Sequence, residues 1–321
     1  MEVGSVTDTA VGEKSFGIVC DSGCDLTPAQ LGRLGVALVP HHVNAGQQSW
    51  LDRVDVSDDD ALERMGVRGT DAVVEEAGAD ELLAAYQRLV DEGCKTIVSV
   101  HSAEALSAMC GRAREAAARL GDATRVEVLD TGTASIGTGI VVERLSAMRA
   151  AGVPLEDALL AAREIAAGVR LMFIPASSSR LVRRRARSRH SGLVSRASML
   201  RVRLVGERGL FLVSRGEVTQ TVRSTDIADL CGRIAHAMSA VAHAEGPLDY
   251  VELYGCDRKA LRPLEKPLDT NEFEAERMGV TRVSPSNVGF VGRPAVGVAF
   301  VPDSLFERVG ANQPTDVPAD D

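Results

Sequence analysis

The stretch that most limits what this chain can fold into runs from Thr96 to Leu120 and reads TIVSVHSAEALSAMCGRAREAAARL. Thr96 to Val100 is a β-branched, apolar run of the kind that forms a buried strand. Met109 to Leu120 carries Ala, Arg and Glu with apolar residues at helical spacing. Between them His101 to Ser107 is a turn of mostly small residues. Strand, small-residue loop and helix in that order place side chains and free backbone N–H groups at the carboxyl edge of a parallel sheet, where open α/β folds bind ligands. A small-molecule site, if the chain has one, is expected there.

Composition narrows the partners. With 321 residues, 45% hydrophobic and 25% charged, the chain can bury one large core or two medium ones. Aromatic residues make up only 3% and the formal net charge is −9. Base-stacking platforms and a general attraction to phosphate are therefore both poorly supplied, and nucleic acid is not an expected partner. Cys20, Cys24, Cys94, Cys110, Cys231 and Cys256 show no CxxC spacing and read as reduced core thiols. No run approaches the ~20 apolar residues of a membrane span, and Met1 to Lys14 has no apolar block of a signal peptide. The expectation is a cytoplasmic protein without a membrane span.

In chain order, residues 1–15 read as a flexible leader. Phe16 to Cys20 is a strand, Thr27-Pro28 an N-cap and first helical residue, and Val36 to Val43 a second strand. Helices are expected from Ser57, over Ala79 to Glu92, from Ile136 to Ala150 and from Leu155 to Gly168, with strands at Val126 to Leu129 and Arg170 to Ile174. Leu200 to Val205 and Leu210 to Val213 read as a hairpin across Gly206 to Gly209, followed by a strand from Val218 to Val222. Further helices and strands continue to Val301. The organisation expected is α/β: an N-terminal parallel-sheet domain (16–170), a second α/β domain with a β-hairpin (171–309), an Arg-rich connector (180–203) and a polar tail (310–321).

Chemical motifs are sparse. Gly137 and Gly139 lack the third glycine of a dinucleotide fingerprint and read as close packing. Cys20, Cys24, His41 and His42 match no zinc spacing, so no metal and no cofactor are expected. No nucleophile elbow, phosphate loop or H-E-x-x-H is present, and His101 with Glu104 as a base and acid is the one catalytic pair to weigh. No enzymatic activity is expected. The arginines at 180, 183, 184, 185, 187, 189, 196, 201 and 203 admit three readings: a solvated face, a surface for an acidic partner, or a nucleic-acid contact. For an acidic partner, Arg183, Arg184, Arg185 and Arg187 are the residues to name.

Five segments in order resemble the DegV family of bacterial fatty-acid-binding proteins. They are IVCDSGCDLTPAQLGRLGVALVPHHV (Ile18 to Val43), SWLDRVDVS (Ser49 to Ser57), IVSVHSAEALSAM (Ile97 to Met109), VLDTGTASIGTG (Val128 to Gly139) and VGFVGRPAVGVAF (Val288 to Phe300). The resemblance implies a two-domain α/β fold with a long-chain fatty acid, or a related apolar ligand, held between the domains. It also implies a possible acyl-kinase partner protein to which that acid is presented. Carried over residue by residue, it places ligand contacts at Val74, Ser102, Glu104, Leu106, Ser107, Phe290 and Val291. Several of these depart from the family's hydroxyls and histidine: Val74 stands for its threonine, Ala103 and Glu104 for its two serines, and Phe290 and Val291 for its H-T pair. Ser102, Ser107 or a connector arginine are then the expected head-group anchors. The alternative is a regulatory or interaction protein that has lost carboxylate binding and uses its arginines for an acidic partner.

Overall fold

The computed structural model describes residues 16–66, 72–180, 206–270 and 272–307. The leader, the tail, and Arg183, Arg184, Arg185 and Arg187 lie outside the described residues. The first unit is a parallel four-stranded sheet in the order β2-β1-β6-β7. Its strands are β1 (Gly17–Asp21), β2 (Ala37–Val39), β6 (Thr96–His101) and β7 (Arg125–Asp130). Strand alternation divides the core. Val19 and Ile97 pack towards α3 (Ala79–Asp91) and α4 (Met109–Leu120), while Ile18, Cys20, Val98 and Val100 point to the opposite face. There they join α5 (Ile136–Ala150) and α6 (Leu155–Gly168).

The expected single strand from Val36 to Val43 is two. Pro40 cannot donate to a ladder and ends β2, and the chain restarts as β3 (His42–Ala45) in a separate antiparallel sheet. That sheet has the order β4-β3-β5, with β4 (Gln48–Leu51) and β5 (Val73–Glu75) on either side. The helix expected from Ser57 is α2 (Asp58–Arg64), and α1 (Pro28–Leu34) starts on a capping box in which Thr27 and Gln30 bond each other's backbone.

The second unit is a six-stranded sheet, β10-β9-β8-β13-β11-β12. It runs through β8 (Arg170–Ile174), β9 (Arg208–Ser214), β10 (Glu217–Ser224), β11 (Leu248–Tyr254), β12 (Ala275–Arg282) and β13 (Val296–Pro302). The hairpin is β9–β10, turning at Arg215 and Gly216, which both have positive φ. It is therefore shifted along the chain from the expected pairing, whose first arm, Leu200 to Val205, lies outside the described residues. Among the described residues of this unit only β11 and β12 pair in parallel, across a 3-10 turn and α8 (Arg262–Asp269); α7 (Ile227–Glu245) covers the outer face. Two short helices complete the unit, α9 (Pro285–Val291) and α10 (Ser304–Glu307), and the first was not expected from its glycine-interrupted sequence.

Leu171, Phe173, Phe211, Val213, Ala299 and Val301 on the inner face of the second sheet share one core with α5, α6 and the inner face of the first. α5 is thus buried from both sides, which is why its sequence is apolar nearly all round. Its two early glycines are close-packed: a Cβ on Gly139 would sit 2.7 Å from the carbonyl oxygen of Cys24 and one on Gly137 2.5 Å from Thr133 Oγ1.

Polar contacts between the units concentrate on the turn after β1. The Asp25 carboxylate accepts from the Ser284 N–H at 2.7 Å and from Asn287 Nδ2 at 2.8 Å, and also from Ser135 Oγ. Arg53 donates to the carbonyls of Asp25 and Arg282, both at 2.7 Å, and pairs with Asp58 at 3.1 Å. Asp25, Arg53 and Ser135 all have positive φ, a conformation that non-glycine residues hold only where the surroundings enforce it. Burial pushes the Asp25 pKa up, and Arg53 is the first of the groups that oppose this. Replacing Arg53→Met leaves that carboxyl and Asp58 without their cation. The expected loss is about 3 kcal/mol of unfolding free energy, checked by chemical denaturation; a loss below about 1 kcal/mol contradicts the role given to Arg53.

Candidate functional site

A cleft of about 1480 Å³ opens at the carboxyl edge of the parallel sheet. Asp21 and Gly23 come from the end of β1, Ser102 to Ala108 from the loop between β6 and α4, and Ala134 from the loop after β7. The opposite wall is built by Val74, Glu75, Glu76 and Gly78, by Ser286, Asn287 and Phe290 of α9, and by Arg180. β5 and α9 meet so closely that a Cβ on Gly289 would lie 2.7 Å from Val74 Cγ2.

Six of the seven ligand positions taken from the sequence line this cleft: Val74, Ser102, Glu104, Leu106, Ser107 and Phe290. Val291 is not among its lining residues; it packs against the core and its carbonyl accepts from the Ala176 N–H at 2.8 Å. Glu104 is exposed at the cleft and pairs with Arg114 from α4. Sequence reasoning passed over Glu76, Arg112 and Asn287 as site residues. Their only signal was position, Glu76 standing two residues after Val74.

Beneath the cleft lies a buried network. Asp21, 3% exposed, accepts from His101 Nδ1 at 2.5 Å and from His41 Nε2 at 3.2 Å. The Ala77 N–H donates to His41 Nδ1 at 3.2 Å, which leaves Nε2 as the ring nitrogen that donates to Asp21. His101 Nε2 meets Ser99 Oγ at 2.7 Å, and Tyr86 donates to Ser99 at 2.8 Å. Asp21, His101 and Ser99 are connected in the order of a catalytic triad. However, Ser99, His101 and Tyr86 are all fully buried, and Ser99 does not line the cleft. A substrate carbonyl cannot reach that hydroxyl, so the geometry supports a positioning network. Glu104 is not in it, which separates the acid–base pair weighed from the sequence.

The possible metal ligands are also separated. Cys20 and Cys24 lie 3.7 Å apart within the apolar core, while His41 is bound to Asp21 and His42 to Glu81 at 2.7 Å. Among the described residues, Glu104, Cys110 and Asp130 come close enough to share an ion, but Glu104 is already paired with Arg114 and burial pushes the Cys110 thiol up to about 12.

At the start of α4, both oxygens of the Glu76 carboxylate accept from the Ala108 N–H, at 3.1 and 3.3 Å. Arg112, one turn into the helix, donates to the carbonyls of Glu76 and Ala77 at 2.5 and 2.7 Å. Asn287 gives both Nδ2 protons away, to Asp25 and to the Gly23 carbonyl at 3.1 Å.

Burial pushes the Asp21 pKa up, but His41 and His101 outweigh burial and hold it well below the ordinary carboxylate range. The stabilisation this gives is present above the unfolded value of about 4 and is lost as pH falls towards the lower folded value. Asp21→Asn should therefore cost roughly 2–4 kcal/mol at pH 7, with the gap to the parent chain narrowing by pH 3. Denaturation midpoints at the two pH values check this; equal gaps at both contradict it.

Residues 15–303 match a family model described as "Uncharacterised protein, DegV family". A DegV domain-containing protein of Deinococcus radiodurans is 28% identical over 90% of this chain and 99% of its own length. One from Clostridium perfringens is 23% identical over 80% and 88%. Among solved structures, a fatty-acid-binding DegV family protein from Thermus thermophilus superposes with a TM-score of 0.75 at 21% identity, covering 90% of this chain and 99% of its own. A stearic acid-binding protein from Eubacterium ventriosum gives 0.74 at 16%, covering 89% and 98%. With residues 15–303 matched by the family model and the fold shared with these solved structures, the chain belongs to the DegV family.

Proposed function

We propose that this protein is a lipid-binding protein that holds one long-chain acyl lipid in the cleft between its two units, without catalysing a reaction on it. The observation that carries this reading is the convergence, at one sheet edge, of Val74, Leu106, Ser107 and Phe290 from segments far apart in sequence. The volume, about 1480 Å³, exceeds the ~300–1,000 Å³ of ordinary small-molecule pockets and leaves room for an extended acyl chain. Burying such a chain is favourable by roughly 0.8 kcal/mol per methylene. The fatty-acid ligands of the Thermus thermophilus and Eubacterium ventriosum relatives support the same reading. Presentation to an acyl-kinase partner belongs to this proposal only where the bound head is a carboxylate.

Lipid extracted from the purified protein and identified by mass spectrometry should be a long-chain acyl compound at close to one per chain. Ser107→Trp, which fills the cleft from the loop before α4, should lower acyl-lipid affinity by about tenfold or more while leaving the thermal midpoint within a few degrees. Unchanged affinity in that variant, or a protein that takes up no acyl lipid of any head group, overturns the reading.

A further inference from the structure

The polar groups around the cleft have a direction, because each hydroxyl and amide has a fixed number of protons to give. Ser102 is the clearest case. Thr131 Oγ1 donates to the His101 carbonyl at 2.9 Å, so the Thr131–Thr138 hydrogen bond of 3.1 Å requires Thr138 to donate. The Ser102–Thr138 bond of 3.2 Å then requires Ser102 to donate. The proton of Ser102 is committed inward along this chain, and the cleft receives only its lone pairs.

The other donors near the head of the cleft are similarly engaged. The Ala108 N–H, which a helix N-terminus would otherwise offer to an anion, is held by the Glu76 carboxylate. Arg112 turns its Nη1 to the carbonyls of Glu76 and Ala77 and stands 4.0 Å from the Glu76 carboxylate, Arg180 donates from Nη2 to the Ala72 carbonyl, and both ring nitrogens of His41 have partners. Asn287 has given away its amide protons and keeps its carbonyl oxygen. Ser107 is the exception: its oxygen accepts from the Met109 N–H at 3.1 Å, leaving its own proton to give. Ser286 shares a hydrogen bond with Ser284 in which either can donate.

A ligand carboxylate needs donors in excess to replace its water, and here it would compete with the carboxylates of Glu76 and Glu104, which already pair with Arg112 and Arg114. A hydroxyl needs the reverse, one acceptor for its proton and one donor to its oxygen. From this arrangement, and resting on the lipid-binding reading above, we infer that the cleft selects a long-chain lipid with an uncharged, hydroxyl-bearing head over a fatty-acid anion. Monoacylglycerols and long-chain alcohols share that chemistry. Glu76 is the residue that enforces the choice, because it fills with the chain's own carboxylate the place an anionic head would take.

The test uses the full-length protein stripped of lipid and offered equimolar 1-monohexadecanoylglycerol and hexadecanoate at pH 8, with bound species counted by native mass spectrometry. Hexadecan-1-ol in a parallel competition separates the two sources of the hydroxyl. The expected result is a preference for the hydroxyl-bearing lipids of roughly tenfold or more. Glu76→Gln, which removes the internal charge and keeps the shape, should raise hexadecanoate affinity by at least about fivefold and shrink that preference. Hexadecanoate bound as well as or better than the uncharged lipids overturns the inference and leaves the lipid-binding reading standing, as does a Glu76→Gln protein with the parent's selectivity. Binding of none of the three overturns both.

Discussion

A carboxylate removed from water, as Asp21 is, survives only where hydrogen-bond donors replace its hydration, and two imidazoles do so here. That requirement ties together three strands' ends. His101 closes β6, His41 lies between β2 and β3, and Asp21 closes β1, so satisfying one charge brings the carboxyl edge of the sheet into register with the chain that leaves it. The turn that follows continues the same logic four residues later, where Asp25 is satisfied by Ser284 and Asn287 of the second unit. Positive φ at Asp25, Arg53 and Ser135 marks the backbone strain held at this junction.

The cleft is a product of that junction. No single unit has enough wall to enclose an acyl chain: the sheet edge supplies the floor, and β5 and α9 supply the facing side. The core shared through α5 keeps the units from drifting apart, because an apolar helix buried from both sides exposes its surface if either sheet leaves. The cleft can therefore be rigid at its base while its lining, which includes Val74, Glu104 and Phe290, is set residue by residue on the fold beneath.

Elements whose signal is local were legible in the sequence. α5 and α6 begin and end at the residues their turns and spacing suggested, and Thr27-Pro28 marked α1 through capping chemistry that acts within four residues. Errors arose where the partner is distant. Val36 to Val43 is apolar apart from Pro40 and the two histidines; Pro40 ends the first strand, and the existence of a second sheet decides that the chain restarts as another. The hairpin was displaced because β-pairing is chosen by the strand opposite, not by the turn residues alone. α9 was missed because seven residues with a glycine inside have little helical propensity, and its packing on β5 and its hydrogen bonds to Asp25 and Gly23 supply the rest.

For the site, the sequence by itself determined the residue types and the motif order, since both survive in a linear chain, and it pointed to the β6–α4 loop, which lines the cleft. Only the tertiary structure decided what those groups are free to do. Whether Ser102 donates or accepts depends on Thr131 and Thr138, about 30 residues away, and whether α4 offers its N-terminus depends on Glu76 reaching it from β5's far side. Proton direction is a property of a closed network of partners, and no stretch of sequence contains the network.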